Sequence, residues 1–477
     1  CCIGGEWIKA EQKIKSVNPS HTDQVVGVVQ NGDIQMGDRA VASALRTFET
    51  WSRTPAHERA AYFFKAKKLL QERKYEFNAW LVYEVGKTWA EADGDVAETI
   101  DFLDYYARSM LRLANPPALH QVPGEENKLY YIPLGVGVAI PPWNFPCAIM
   151  AGLVVSAAVA GNTVVLKPSS DSPVIATKFV QLLEEAGLPK GVVNLVTGPG
   201  SSLGDHLVKH PKVRFISFTG SMEVGIHMNA EAAKVGDGQV WLKRLIAEMG
   251  GKNAIIVAED ADIDAAVGGV VASAFGYQGQ KCSACSRAIV VKSVHETFVN
   301  KLVAATRALK VGPTEDPATN VGPVASASAY RDILGYIEVG MKEGKLLCGG
   351  EKAAGDGWYI APTIFDGIKP DARIAQEEIF GPVLAVLEAR DYDHALELAN
   401  GTRYGLTGSV FSRDEKKLEK AAREFHTGNL YLNRKCTGAM VGRHPFGGFN
   451  MSGTDSKTGG PDYLLQFTQA KTVCWKR

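Results

Sequence analysis

The N-terminal part of the chain carries its apolar residues at helical spacing. Between residues 36 and about 110 it is rich in Ala, Glu, Lys, Leu and aromatic residues, and Tyr62, Ala66, Leu69 and Leu70 recur three to four positions apart. This pattern predicts a helical N-terminal region. A later apolar run, residues 147–160, is 14 residues long, shorter than the roughly 20 that span a bilayer. It predicts a buried helix.

Strand and helix patterns alternate in the middle of the chain. Short apolar runs at 163–167, 192–196 and 214–218 read as buried strands, and helical segments separate them. Ser172 followed by Pro173 is a helix start, and Gly187 followed by Pro189 is a helix stop. Strand, helix and strand in succession predict a parallel α/β sheet of the nucleotide-binding kind.

A similar alternation returns between residues 288 and 349, with predicted helices at 295–308 and 327–343, and it indicates a second α/β domain. Residues 130–140 are rich in β-forming residues, and residues 465–475 alternate weakly, so both stretches are predicted to be β-strands.

Composition narrows the class of protein. The chain has 477 residues, of which 45% are hydrophobic and 22% charged, and this is typical of a globular protein with two or three domains. The formal net charge is zero, which gives no basic surface for nucleic acid or an anionic membrane. Eight cysteines without framework spacing favour a reducing compartment. The chain begins Cys1-Cys2 without methionine, so a preceding targeting segment would be invisible.

One cysteine lies in a segment suited to nucleophilic chemistry. Residues 275–287 read FGYQGQKCSACSR, which places Cys282 behind a Gly-Gln turn and beside Lys281. A catalytic thiol needs exposure together with positive charge or backbone N–H groups, and Lys281 and the glycines could provide them. The Cys282–Cys285 spacing also fits a redox pair, half a zinc site or two buried small hydrophobic residues.

A second nucleophile pattern surrounds Ser202. The stretch GPGSSLG contains a GxSxG motif between a predicted strand and a predicted helix, as in a serine hydrolase. Its glycines at 198, 200 and 204 carry one residue too many for the dinucleotide-binding GxGxxG. A serine hydrolase is therefore the alternative from a different class of enzyme.

Five segments together resemble the NAD(P)-dependent aldehyde dehydrogenase superfamily over essentially the whole chain. Besides residues 275–287 they are PPWNFP at 141–146, FTGS at 218–221, AEMGGKN at 247–253 and EEIFGPV at 377–383. Residues 280–287, QKCSACSR, and the stretch 433–466 are similar to a narrower group, the 1-pyrroline-5-carboxylate dehydrogenases. That group oxidises glutamate γ-semialdehyde to glutamate, and another aldehyde or semialdehyde is the alternative substrate.

The resemblance implies an α/β fold with a Rossmann-type cofactor domain, an α/β catalytic domain and a β-arm for oligomerisation. Residues 1–120 and 141–249 would form the cofactor domain, residues 250–450 the catalytic domain, and residues 121–140 with 451–477 the arm. A homo-oligomer, a dimer or a multiple of dimers, is expected. The expected location is the cytoplasm, or the mitochondrial matrix in a eukaryote.

Three residues acquire catalytic roles from the resemblance. Cys282 is the expected nucleophile, Asn144 the expected oxyanion donor and Glu248 the expected general base. From the residues alone, Asn144 could instead cap the next helix. The carboxylate of Glu248 could instead pair with Lys252 or Lys243.

The resemblance also implies a cofactor site for NAD, with NADP as a possible second cofactor. Ser170 stands where strongly NAD-selective members often have a glutamate, which would repel the 2′-phosphate of NADP. The expected cofactor-binding residues are Pro142, Trp143, Lys167, Ser170, Gly200, Gly204, Phe218, Gly220, Ser221, Glu378 and Phe380.

The substrate site implied by the resemblance needs groups for a carboxylate, an ammonium and an aliphatic stem. A loop at 437–439 could turn its N–H groups toward a carboxylate, although it could also be a simple turn. The expected substrate-binding residues are Glu98, Phe145, Lys281, Ser283, Thr437, Gly438, Ala439 and Phe446. There is no HExxH motif and no second CxxC, so no metal is expected.

Overall fold

Two seven-stranded sheets with helices packed against them organise the chain. The computed structural model describes every residue from 1 to 477. The helices are α1 Ile34–Trp51, α2 Ala56–Glu72, α3 Lys74–Val85, α4 Trp89–Leu113, α5 Ala148–Val159, α6 Pro173–Glu185, α7 Asp205–Lys209, α8 Met222–Ala232, α9 Ile263–Phe275, α10 Lys292–Arg307, α11 Ala327–Glu343, α12 Arg373–Gln376, α13 Tyr392–Asn400 and α14 Glu415–Glu424.

The strands are β1 Cys2–Ile3, β2 Glu6–Trp7, β3 Gln12–Asn18, β4 His21–Asn31, β5 Glu125–Pro133, β6 Val136–Ile140, β7 Thr163–Leu166, β8 Val193–Leu195, β9 Phe215–Thr219, β10 Arg244–Glu248, β11 Asn253–Val257, β12 Cys285–Val291, β13 Lys345–Cys348, β14 Thr363–Asp366, β15 Val383–Ala389, β16 Tyr404–Gly405, β17 Thr407–Phe411, β18 Asn429–Leu432, β19 Phe449–Asn450 and β20 Thr468–Lys476.

The first sheet has the order β10-β9-β6-β7-β8-β1-β2. Its five strands from β10 to β8 are parallel, and the short β1 and β2 join antiparallel at one edge. β6, β7 and β9 are buried along their whole length, as expected for strands covered by helices on both faces. The predicted parallel α/β sheet is confirmed.

The helical N-terminal region consists of the four helices α1 to α4, separated by short breaks. α5 is buried along its length and packs against α4, so the buried helix predicted from residues 147–160 is confirmed. No helix in the structure is long and apolar enough to cross a membrane.

The second sheet has the order β13-β14-β15-β12-β11-β17-β18, with every neighbouring pair parallel except β13 and β14. Its strands run from Lys345 at one edge to Leu432 at the other, and two clusters of buried apolar residues, of 25 and 21 members, cover its faces. The predicted second α/β unit is confirmed.

A two-stranded antiparallel ribbon stands apart from both sheets. β5 pairs with β20 from Glu125↔Lys476 to Pro133↔Thr468. The ribbon contains fewer residues than the arm expected at 121–140 and 451–477. On one side, β6 belongs to the first sheet. On the other, Tyr463, Leu464 and Phe467 pack into the first domain's apolar core.

Candidate active site

A cleft of about 790 Å³ opens where β6, β7 and β9 of the first sheet end. Their carboxyl ends are the usual ligand edge of a parallel sheet. Residues from the second sheet's domain, including Cys282 and Glu378, close the other side. Ten predicted residues line this cleft: Pro142, Trp143, Asn144, Lys167, Phe218, Gly220, Ser221, Cys282, Glu378 and Phe380.

Cys282 is half-buried in the cleft, behind a turn with unusual backbone geometry. Tyr277, Gln278 and Gly279 all have positive φ, of 50°, 56° and 69°. A Cβ on Gly279 would lie 2.2 Å from the carbonyl oxygen of Gly381, so this position requires glycine. Such strained turns persist only where the surroundings hold them, and they are frequent at active sites.

Asn253 holds the nucleophile loop and was not predicted. Its Nδ2 donates to the carbonyl oxygens of Cys282, at 2.7 Å, and Ala284, at 2.9 Å. Its Oδ1 accepts from the N–H of Thr407. One side chain thus links three segments of the chain. The only sequence signal for this role of Asn253 was its place in the motif AEMGGKN.

Burial raises the pKa of the Cys282 thiol to about 12, and the Glu378 and Glu248 carboxyls add to the shift. The backbone N–H groups of Ser283 and Cys282 act in the opposite direction. Lys281 was expected to provide positive charge, but its ammonium pairs with Glu91 at 2.7 Å. The thiol is therefore protonated at neutral pH, and it must lose its proton to a base before it attacks.

The Asn144 side chain is buried and its Nδ2 donates to the carbonyl oxygen of Gln280 at 2.9 Å. Helix α5 has no side-chain cap, so the alternative that Asn144 caps this helix is wrong. An amide nitrogen carries two hydrogens, and one remains for a ligand in the cleft. The bond to Gln280 holds that donor still, as electrostatic stabilisation requires.

Glu248 ends β10 and is buried beside the cleft. Its Oε1 accepts from the Ser456 hydroxyl at 2.7 Å, and its Oε2 has no partner. Burial raises the pKa of this carboxyl to about 8. Glu248 forms no ion pair with either lysine suggested by the sequence, because Lys243 donates to the carbonyl of Val208 and Lys252 Nζ has no partner.

Two glycines distant in sequence, Gly447 and Gly453, leave space around the Glu248 carboxylate. A Cβ on Gly447 would lie 2.9 Å from Glu248 Oε1, and one on Gly453 would lie 3.2 Å from Oε2. Gly250 instead makes room for Glu378, whose carboxylate would be 2.0 Å from a Cβ there. Ser456, Gly447 and Gly453 lie more than 190 residues from Glu248 in sequence, and no local pattern predicted their contact.

Glu378 and Phe380 form the wall of the cleft near Cys282. Glu378 Oε1 accepts from the N–H of Gly251 at 2.9 Å, and burial raises the pKa of Glu378 to about 7. Phe380 has a positive φ of 57° and packs edge-on against Trp143, with ring centroids 5.5 Å apart. These contacts hold both side chains where they line the cleft.

The other end of the cleft suits an anionic dinucleotide. Ser221 caps α8, accepting from the N–H of Val224, so the positive end of this helix faces the cleft. Burial lowers the pKa of Lys167 to about 8. Gly200 and Gly204 do not line the cleft but lie against the Lys167 side chain, with ideal Cβ positions 3.9 and 3.7 Å from it.

Ser170, like Gly200 and Gly204, does not line the cleft. Its hydroxyl donates to the carbonyl oxygen of Gly198 at 3.4 Å, while its neighbours Ser169 and Asp171 line the cleft. The sequence pattern did not distinguish these three adjacent polar residues, because the local turn decides which of them faces the cavity.

The predicted substrate residues lie outside the lining of the large cleft. Phe145 packs edge-on against Tyr277, and Phe446 exchanges backbone hydrogen bonds with Thr458. The carbonyl of Ser283 accepts from the Cys436 thiol at 3.4 Å, which places the segment before the 437–439 loop against the nucleophile loop. Burial raises the pKa of Glu98 to about 8, and Asp95 adds to the shift.

The loop of Thr437, Gly438 and Ala439 has free backbone donors. Gly438 has a positive φ of 76°, and its carbonyl accepts from Arg434 at 2.7 Å. The three N–H groups donate to no acceptor within the protein. Successive free N–H groups beside a left-handed glycine form an anion-binding nest.

The alternative nucleophile Ser202 has no catalytic partners. It is exposed in the π-helical turn Gly200–Gly204, its hydroxyl forms no hydrogen bond, and it does not line the cleft. The nearby His206 is paired with Asp38 at 2.6 Å. The structure gives no support to a serine hydrolase.

A metal site is likewise not formed. No group of three or more His, Cys, Asp or Glu side chains is arranged to hold a metal ion. Cys285 is buried and its thiol donates to the carbonyl of Arg287 at 3.5 Å, so the Cys282–Cys285 spacing does not mark half a zinc site.

The chain belongs to the aldehyde dehydrogenase family, whose profile matches residues 7–473. Within that family it is similar to the 1-pyrroline-5-carboxylate dehydrogenase of Geobacillus thermodenitrificans, with 57% identity over 471 residues, 99% of this chain and 92% of the relative. The enzyme of the same name from Bacillus subtilis is 52% identical over the same shares of the two chains.

Solved structures agree in fold. The 1-pyrroline-5-carboxylate dehydrogenase from Thermus with bound NAD superposes with a TM-score of 0.99 at 49% identity, covering 100% of this chain and 92% of that one. The betaine aldehyde dehydrogenase from Staphylococcus aureus in complex with NAD⁺ superposes with a TM-score of 0.93 at 30% identity, covering 100% and 94%. The predicted aldehyde dehydrogenase-like fold is confirmed.

Proposed function

We propose that this chain oxidises L-glutamate γ-semialdehyde, the open form of 1-pyrroline-5-carboxylate, to L-glutamate with NAD as the oxidant. The observation that carries this proposal is the three free N–H groups at residues 437–439, next to the loop of the cleft's one cysteine. A simple aliphatic aldehyde needs no anion site beside the cysteine, whereas a substrate with an α-carboxylate does. The names of the relatives above support the same substrate.

The first chemical step forms a bond between Cys282 and the aldehyde carbon. The thiol gives up its proton, and Glu248 is the nearby buried carboxyl whose pKa of about 8 suits it to receive one. The sulfur then adds to the carbonyl carbon, and negative charge develops on oxygen. The free N–H of the Asn144 amide and the backbone N–H of Cys282 are the donors that stabilise this oxyanion.

NAD would lie along the cleft, with Lys167 and the N-terminus of α8 at one end and Glu378 and Phe380 at the other. Its nicotinamide would supply the hydride acceptor. Loss of hydride from the adduct leaves a thioester on Cys282. Once Glu248 has passed the thiol proton to solvent, its carboxylate removes a proton from water, and the resulting hydroxide displaces the Cys282 thiolate to release the carboxylic acid. Gly447 and Gly453 leave room for the Glu248 carboxylate during this step.

Domain roles and assembly follow from the same proposal. The domain of the first sheet binds the cofactor, and the domain of the second sheet carries Cys282. The β5–β20 ribbon serves as the oligomerisation arm of a homo-oligomer. NADP is a second candidate cofactor, although the carboxylate of Asp171 lines the cleft next to Ser170.

The function is tested by a substrate panel. With the purified chain and NAD, we expect reduction of the cofactor with 1-pyrroline-5-carboxylate to exceed that with propanal or betaine aldehyde by at least tenfold in kcat/KM, and loss of activity in Cys282→Ala. NADP replaces NAD in a parallel series. Equal rates with propanal, or activity in Cys282→Ala, would contradict the proposal.

A glycine variant tests the carboxylate site. Gly438→Ala strains a residue with φ of 76°, so we expect KM for the semialdehyde to rise about tenfold while KM for propanal stays the same. Gly367→Ala is the matched control, because Gly367 has φ of 68° and no atom within 4 Å of its ideal Cβ. A uniform change for both substrates would argue against a carboxylate nest.

A further inference from the structure

An ion pair with no solvent exposure lies behind the active-site loops. Lys87 Nζ is 2.9 Å from Asp95 Oδ2, and both side chains are 0% exposed. Burying two charges costs several kcal/mol per ion, and well-packed apolar residues are often as stable in their place. The pair therefore calls for a role other than stability.

The Lys87 ammonium contacts both of the loops that carry the proposed catalytic groups. It lies 3.7 Å from the ring centroid of Phe145 and 4.6 Å from that of Tyr277. Phe145 directly follows Asn144, and Tyr277 opens the left-handed turn that leads to Cys282. A cation attracts the negative faces of aromatic rings, so one ammonium holds two rings from separate loops.

Asp95 extends the contact to the helix that follows the Asn144 loop. Its Oδ1 accepts from the N–H of Ala148, the first residue of α5, at 2.7 Å. The nearby ammonium of Lys281 forms its ion pair with Glu91 at 2.7 Å. Lys281 therefore does not compete with Lys87 for the carboxylate of Asp95. The loop of residues 141–146 is thereby held at its end by Asp95 and at Phe145 by Lys87.

We propose that the Lys87–Asp95 pair positions the Asn144 loop against the Cys282 turn, and that Lys87 is a positioning residue of the reaction. The Lys87 side chain has no exposed surface, so it touches neither cofactor nor substrate. Lys87 affects the reaction by fixing the distance between the Asn144 amide and the Cys282 sulfur. The inference rests on the roles of Asn144 and Cys282 in the proposed function.

The test neutralises the pair without removing its shape. The double variant Lys87→Met with Asp95→Asn keeps an oxygen for the N–H of Ala148 and leaves no unpaired charge. We expect kcat to fall about 10- to 100-fold, the range caused by misplacing reacting groups by about an ångström. The Kd for NAD, followed by the fluorescence of tryptophan, is expected to stay within about twofold of the original.

The matched control is the pair Lys74 and Asp93, which joins α3 to α4 at 2.7 Å but is 30% and 46% exposed. Lys74→Met with Asp93→Asn is expected to leave kcat unchanged. Asp95→Asn alone serves as a second variant should the double variant not fold. Both are compared in thermal unfolding.

Full kcat in either folded variant, or loss of the fold in both, would mean that the pair serves stability alone and would overturn the proposal. An equal loss of kcat in the Lys74 and Asp93 control would overturn it as well. Cys282→Ala is assayed in parallel, because activity in that variant would show that the proposed function itself had failed.

Discussion

At the scale of single residues, the carboxyl of Glu248 is the group with the clearest dependence on pH. Burial raises its pKa to about 8, and the hydrogen bond from the Ser456 hydroxyl counteracts the rise. A general base works only when deprotonated. We therefore expect the rate of thioester hydrolysis to increase as the pH rises through about 8, and Glu248→Gln to abolish this increase.

Ser456→Ala should move the same pH profile. Without the hydroxyl the pKa of Glu248 rises further, so less carboxylate is present at pH 7 and kcat falls, by about tenfold for each unit of added shift. The measurement is kcat between pH 6 and pH 10, with hydrolysis as the slow step. A profile in the variant that superposes on the original would exclude Glu248 as the base, or Ser456 as its partner.

The site residues that belong to local motifs were predictable from the sequence, but the side chains they contact were not. The motifs at 141–146, 218–221 and 377–383 placed Asn144, Ser221 and Glu378 in one cleft, and the structure agrees. The sequence did not reveal which of Ser169, Ser170 and Asp171 faces that cleft, or that Lys281 would be occupied by Glu91. Both depend on how a backbone turn orients side chains.

At the scale of elements, the start of α6 is held by a residue from another helix. The sequence predicted a start at Ser172 and Pro173, but the Ser172 side chain makes no capping bond. Glu84 of α3 instead accepts from the N–H groups of Val174 and Ile175, at 2.7 and 2.8 Å, and from the Ser16 hydroxyl. It satisfies two of the free N–H groups that every helix start carries.

Removing this carboxylate should loosen the packing of α3 on α6. Glu84→Ala leaves two buried N–H groups without an acceptor, and we expect the free energy of unfolding to fall by about 3 kcal/mol. Ser16→Ala, which removes one donor only, should cost about 1 kcal/mol. Urea unfolding measures both, and equal losses in the two variants would show that the helix start is satisfied elsewhere.

At the scale of the whole molecule, the β5–β20 ribbon leaves apolar side chains in solvent. Cross-strand pairing puts Tyr130, Val473 and Trp475 on one face, with exposed fractions of 45%, 38% and 57%. Two strands alone have little stability in water, and large apolar side chains exposed on them are typical of an interaction site. The proposed partner is a second copy of this chain.

Charges on that face should separate the copies. We expect Val473→Asp combined with Trp475→Asp to reduce the molar mass measured by light scattering after size exclusion to a smaller assembly or a monomer. Thr472→Asp adds a charge to the opposite face of the same strand and is the control. An original chain that elutes as a monomer would contradict the proposal at the outset.

The amino-acid sequence alone determined where most helices and strands lie, because hydrophobic period, caps and glycine turns act over a few residues. It also determined the family, because a motif is recognised from the identities of its residues alone. Only the tertiary structure decided the pairings across the chain: Ser456 with Glu248, 208 residues apart, Asn253 with the nucleophile loop, and Lys87 between Phe145 and Tyr277. Such contacts depend on how two separate sheets pack against each other. The spacing of residues along the chain does not encode the distance between those sheets.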